Sequence, residues 1–223
     1  MPAPLAFIAV LASAVAAWRR AQRARTHPAR ALIVSPPRST VIAHDGAVRS
    51  VQSAVLTMDG EDLARLWTPP NLENLGRTYW RFLTRVTLGL IRVVYDEDSR
   101  SVLFLAPPLT LLRFDVPRYE LEPDQGKVTW PIRDGLLVAR SGRGSGWLSL
   151  AVQRLPAAQD ASRRELMIEV EVANFYPAIA AGLSTIVYEM TQSFLHVLVT
   201  HAFLRSLANL RLDVSRIGAL ARR

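Results

Sequence analysis

Residues 177–210, PAIAAGLSTIVYEMTQSFLHVLVTHAFLRSLANL, decide how the rest of the chain is read. Pro177 suits the first turn of a helix, and no proline follows it through Leu210. Projected at helical spacing, Thr185, Glu189, Gln192, Ser193, His196 and Thr200 fall in one narrow polar band. Ile179, Leu183, Ile186, Val187, Met190, Phe194, Leu195, Val197, Leu198 and Val199 make the remaining surface apolar over more than half its circumference. Such a helix needs cover on several sides. Two placements of the band compete: it faces water, or Glu189, Gln192 and His196 face a cavity and orient the polar head of a ligand. A membrane span is a poor third, because Glu189 near its centre would cost about 3 kcal/mol.

Upstream of this helix the chain reads as short strands with punctuation every eight to twelve residues. Leu90–Tyr95, Val102–Leu105 and Leu109–Phe114 are rich in β-branched, aromatic and aliphatic residues. Tyr119–Leu121 and Val128–Ile132 flank Pro123-Asp124-Gln125-Gly126, a tight hairpin connection. Leu136–Arg140 and Trp147–Val152 flank Ser141–Gly146 in the same way, and Leu166–Val172 alternates cleanly with Glu165, Glu169 and Glu171. Connections this short join antiparallel neighbours. Before them, Val48–Met58 suits a first strand. Asp59 can cap a short helix ended by Pro69-Pro70, and Asn71 can cap a second, with Leu72, Leu75, Tyr79, Phe82 and Val86 at helical spacing. The expected class is α+β: a curved antiparallel sheet of about seven strands grips a long carboxy-terminal helix, with two short helices after the first strand.

This order of elements resembles the helix-grip fold of the START-like (SRPBCC) superfamily, which includes Bet v 1-like plant proteins and bacterial polyketide cyclases. The resemblance covers roughly residues 46–210 and rests on the paired helices near Asp59 and Asn71 and the long helix after Tyr176. It implies a deep, mainly apolar cavity between sheet and long helix that takes lipids, sterols or aromatic polyketides. It also implies that the short helices border the cavity mouth, which makes Trp67, Tyr79 and Trp80 candidate lining residues. Tyr176 joins them as an aromatic at the start of the last helix.

The amino-terminal part differs in kind. Met1–Trp18 carries no charged side chain and then meets Arg19, Arg20, Arg23 and Arg25. The positive charge follows the apolar run, which argues against a cleaved signal peptide. Trp18 beside arginines resembles an interface belt with positive charge kept inside. We therefore expect residues 1–22 to be a membrane-anchor helix, its amino terminus outside, that holds the folded part on the cytoplasmic side. Residues 23–45 then form a basic linker with Pro28, Pro36 and Pro37, in which Ala31–Val34 can add an edge strand; residues 46–212 form the helix-grip-like domain and residues 213–223 a basic tail.

The formal charge is +8, and 26 of the 27 basic residues are arginine, Lys127 being the exception. The excess lies before residue 50 and at Arg222-Arg223, while acids and bases intermix between Asp59 and Asp213. A basic groove on the folded part is thus missing, so no nucleic-acid partner is expected. With no cysteine there is no disulfide, thiolate metal site or cysteine nucleophile. His196 and His201, five apart, lie about 140° apart round a helix and cannot chelate one metal as an i, i+4 pair does. Gly142-Arg143-Gly144-Ser145-Gly146 precedes a strand rather than a helix, so it reads as a hairpin tip, with Arg140 or Arg143 free to meet an anionic headgroup. No catalytic constellation, metal site or cofactor fingerprint emerges. The expectation is a membrane-tethered, non-enzymatic binding or carrier protein whose partner is a hydrophobic small molecule. Two alternatives stand beside it: a cyclase- or dehydratase-type enzyme using Glu189 or His196, and a structural interaction module at the membrane face.

Overall fold

The computed structural model describes residues 13, 27–34, 39–96, 99–105, 107–156, 162–178 and 197–215. The expected membrane helix over residues 1–22 lies outside them except for Ser13, as do Glu189, Gln192 and His196. Among the described residues no helix is long and apolar enough to cross a membrane.

Ten strands, rather than about seven, form one antiparallel sheet among the described residues. They are β1 (Arg30–Ile33), β2 (Thr40–Ile42), β3 (Val48–Asp59), β4 (Ile91–Tyr95), β5 (Ser99–Phe104), β6 (Thr110–Asp115), β7 (Arg118–Leu121), β8 (Gln125–Asp134), β9 (Trp147–Arg154) and β10 (Arg163–Phe175). The path runs β1-β3-β10-β9-β8-β6-β5-β4, with β2 also on β3 and β7 also on β8. The surplus comes from two shared edges. β1 and β2 pair with opposite ends of β3, and β7 and β6 pair with opposite ends of β8. Both β1 and β2 come from the segment read as a linker, where prolines favour the extended backbone that an edge strand also needs.

The inner face follows from alternation. Gln52, Ala54, Leu56 and Met58 of β3 are buried, as are Leu166, Ile168 and Val170 of β10, Leu148 and Leu150 of β9, and Val128, Trp130 and Ile132 of β8. The intervening residues carry the polar outer face, where Ser53 donates to Glu169 and Arg49 pairs with Glu171 at 2.7 Å.

One expected strand is absent. Leu136–Arg140 is a turn that leads into a 3-10 turn at Arg140–Gly142. Gly135 sits at φ +144, with Leu111 O so close that a Cβ would meet it at 2.2 Å. The chain swerves there, Leu136 and Leu137 donate their N–H groups to Thr110 and Leu111, and Val138 forms a single bridge with Pro177. Pro177 therefore stands in extended backbone instead of opening a helix.

Among the described residues three helical stretches lie on the inner face: α1 (Gly60–Leu66), α2 (Pro69–Val86) and α3 (residues 197–206). Pro69 and Pro70 do not only stop α1; they occupy the first turn of α2, where a missing N–H costs nothing. Thr68 is the residue that precedes α2, and Asn71 turns backward, its amide donating to the Leu66 carbonyl at 3.0 Å and closing the end of α1. Leu72, Leu75, Tyr79, Phe82 and Val86 bury the sheet-facing stripe of α2. Gly76 lets the helix approach Trp130, and Trp80 meets the same indole edge-on at 5.3 Å. α3 lies against α2 through Phe203, 5.0 Å from the Tyr79 ring, and against β3 through His201, whose Nε2 shares a 2.6 Å hydrogen bond with Gln52 Oε1.

Beyond α3 the chain reverses at Leu210, φ +55, and returns along α2. Asp213 N–H donates to Thr78 Oγ1 and Ser215 N–H to Asn74 Oδ1, each at 2.8 Å. The Asp213 carboxylate pairs with Arg81 at 2.9 Å and Arg85 at 3.4 Å. Residues 211–215 thus form a strap pinned to one stripe of the helix.

Candidate functional site

An apolar hollow of about 160 Å³ lies between the inner sheet face, the α1–α2 corner and the chain after α3. Leu56 and Met58 of β3, Leu166 and Ile168 of β10, Val152 of β9 and Gly126 of β8 form its floor. Leu63, Leu72 and Leu75 cover it from the helices, and Leu207, Leu210 and Leu212 close it from the strap side. Gly126 is buried at its wall, where a Cβ would stand 3.3 Å from Leu72 and 3.4 Å from Val152. Polar groups gather at the rim only: Thr68 and Asn71 on the α1–α2 corner, Glu122 and Gln125 on the β7–β8 hairpin.

The hairpin is the one expected from Pro123–Gly126, with Leu121 opposite Gly126 and Glu122 N–H donating to Gln125 O at 2.8 Å. Trp67 joins it to the helices, its indole N–H donating to Pro123 O at 3.1 Å while its ring lines the hollow. The Arg154 guanidinium lies over that ring, 4.6 Å from its centroid. All these groups sit at one end of the sheet, where β9 and β7 finish and β8 and β10 begin.

The structure separates the sequence-derived candidates. Trp67 is in the wall. Tyr79 and Trp80 are core, 6% and 3% exposed, because α2 is covered by α3 on one side and the sheet on the other. Burial raises the Tyr79 hydroxyl to about 12. Tyr176 stands at the opposite end, packed over Gly142, and donates its hydroxyl to Asp45 Oδ2 at 2.8 Å. The Ala47 N–H and that hydroxyl hold the Asp45 carboxyl below its ordinary range, and the same bond raises Tyr176. Arg140 and Arg143 share that distant end and do not border the hollow. Glu189, Gln192 and His196 lie outside the described residues.

Several lining residues had no sequence signal as site residues: Leu121, Glu122 and Gln125 on the hairpin, and Leu207, Leu210 and Leu212 after α3. Arg154, stacked on Trp67, continues the inward parity of Leu148, Leu150 and Val152. Among the described residues no cluster of histidine, aspartate or glutamate is arranged to hold a metal.

From β3 onward the order is strand, two helices, an antiparallel run of strands, and a carboxy-terminal helix against the inner face of β3: this is the helix-grip order, with β3 placed beside the last strand β10 and β1 and β2 added before it. In element order and strand path the chain resembles the Bet v 1-like arrangement. No family model and no curated protein matches the chain. Solved structures similar to it include a conserved protein from Geobacillus kaustophilus at 11% identity, covering 71% of this chain and 95% of that one with a TM-score of 0.33. A norcoclaurine synthase point mutant from Thalictrum flavum is 14% identical, over 73% and 95% of the two chains, with a TM-score of 0.34. The same synthase in complex with dopamine and hydroxybenzaldehyde is 14% identical, over 78% and 90%, with a TM-score of 0.32. Scores of this size carry no argument; the resemblance rests on element order and strand path.

Proposed function

We propose that this chain is a binding or carrier protein for a small apolar or amphipathic molecule, held at a membrane by its amino-terminal segment with the folded part on the cytoplasmic side. The hollow carries the proposal. Its volume of about 160 Å³ is on the scale of the roughly 150 Å³ apolar cavity that stays dry and takes up benzene. Its walls are leucine, isoleucine, valine and methionine, and its hydrogen-bonding groups stand at the rim, the distribution that suits a ligand with an apolar body and a polar end. The ligand is therefore of ring or short-chain size in the part that it buries.

The course of the chain supports the tether. Arg30, at the start of β1, pairs with Thr57, so β1 begins at the end of the sheet where the hollow opens. In the sequence, eleven residues separate the apolar run Met1–Trp18 from Arg30. A membrane held there faces the rim, the orientation in which a carrier takes a guest from lipid.

Native mass spectrometry and solvent extraction of the purified full-length chain test the binding reading. A lipid-like guest that co-purifies, or uptake of added hexanol, supports it. A chain that carries nothing and takes up nothing contradicts it. Flotation with vesicles, with and without residues 1–22, tests the tether, which predicts that only the full chain floats.

A further inference from the structure

Arg154 ends β9 two residues beyond Val152, so its side chain leaves the same face of the strand, and its backbone partner across the sheet is Leu166. Val152 and Leu166 both line the hollow. The guanidinium thus lies beside the lining of the hollow, held from one side by the Trp67 ring at 4.6 Å. Trp67 is itself fixed by its bond to Pro123 O.

The hydrogen bonding of this arginine is incomplete. Its side chain is 36% exposed, yet its Nε is shut off from solvent and meets no acceptor among the described residues. Its ion pair is a loose one, Nη1 to Asp124 Oδ1 at 3.9 Å, and Asp124 is 77% exposed on the hairpin tip. A buried guanidinium N–H without an acceptor is costly, and a planar carboxylate engages Nε and a terminal nitrogen together. Glu122 and Gln125 of the hairpin face the rim, and Arg164 lies on the inner face one strand away, donating to Arg163 O at 3.0 Å. The half-satisfied cation Arg154 beside the hollow and the acid Glu122 that lines it favour opposite guests.

We propose that the molecule held in the hollow is a carboxylic acid: its ring or short chain lies among the leucines, and its carboxylate docks on Arg154 in place of Asp124. This rests on reading the hollow as a binding site and names the chemistry of its guest. Calorimetric titration of the full-length chain with hexanoate, hexanol and hexylamine separates the two claims. Hexanoate should bind about tenfold or more tightly than hexanol, the scale of a charge-assisted hydrogen bond, and hexylamine most weakly. Arg154→Gln should bring hexanoate to the level of hexanol. Asp124→Asn, at an exposed tip and harmless to folding, should tighten hexanoate by removing its competitor. Hexanol and hexanoate binding within about twofold of each other, less than one net hydrogen bond, overturns the carboxylate while leaving the hollow a binding site. Tightest binding of hexylamine overturns it in favour of Glu122. Binding of none of the three overturns the hollow as a site and the carboxylate with it.

Discussion

The indole N–H of Trp67 and the carbonyl of Pro123 stand 3.1 Å apart, and this bond ties the corner between α1 and α2 to the tip of the β7–β8 hairpin. Both flanks of the rim are therefore coupled through one side chain, whose ring also carries Arg154. Trp67→Phe keeps a ring in the wall and removes the tie. The bond is exposed, so the change should cost at most about 1 kcal/mol of stability. Guest exchange should quicken by a larger factor than stability falls. Denaturant unfolding beside stopped-flow release of a bound probe checks the split; equal rates in both proteins contradict it.

The contact of Gly76 with Trp130 is a packing constraint. A Cβ at position 76 would stand 2.9 Å from Trp130 Cζ2, inside any ordinary contact, and the indole is 3% exposed with no room to retreat. Gly76→Ala gains up to about 1 kcal/mol of helix propensity, but overpacking costs about 1–3 kcal/mol. We expect a net loss in urea unfolding, where an exposed helical glycine would show a gain.

Alkaline pH should unfold the protein in a defined window. Burial pushes both Tyr79 and Tyr119 up to about 12, with Glu73 adding to the rise at Tyr119. In the unfolded chain tyrosine ionises near its ordinary value of about 10. Between about pH 10 and 12 the unfolded state thus releases protons that the folded state keeps, so stability is intact below pH 10 and falls as pH rises toward 12. Tyr79→Phe retains the ring against Phe203 and removes one of the two groups, so its stability should decline less steeply across that window. Thermal melts at stepped pH values provide the comparison.

The strap gives a fourth test. Asp213 bridges Arg81 and Arg85, whose side chains are 48% and 62% exposed, so Asp213→Asn should cost less than about 1 kcal/mol overall. Its local effect should be larger, since Leu210 and Leu212 close the hollow and are held by this polar seam. Hydrogen exchange at the amides of Asp213 and Ser215 should accelerate several-fold while exchange in β9 and β10 stays unchanged. Uniform acceleration everywhere would mean that the strap is part of the global core.

Where side chains alternate or turns are punctuated, the sequence was enough. Leu166–Val172 reads as a strand because one face is buried and the other meets water, and Pro123–Gly126 reads as a hairpin because its residues favour that turn. Leu136–Arg140 misleads because its apolar residues satisfy a strand pattern, while the decisive event is Gly135 swerving against Leu111, a contact 24 residues away. Asn71 misleads in a similar way: its type marks a helix start, but two prolines already supply one, and its amide serves the preceding helix. Tyr79 and Trp80 look like Trp67 in sequence. Their burial depends on α2 being covered from both sides, which no local pattern records. Arg154 was legible in principle, since strand parity alone puts it on the face of Val152; its meaning needs Trp67 beside it, and Trp67 is 87 positions away.

The central claim is that the hollow beneath the α1–α2 corner accepts an apolar group. Titration of hexanol into the full-length chain and into Gly126→Leu, whose new side chain projects into that space, tests it most directly. The account predicts saturable binding to the natural chain and a loss of about tenfold or more in the variant, the scale of a filled apolar pocket, measured where both proteins remain folded. Equal uptake by both proteins, or none by either, would contradict it.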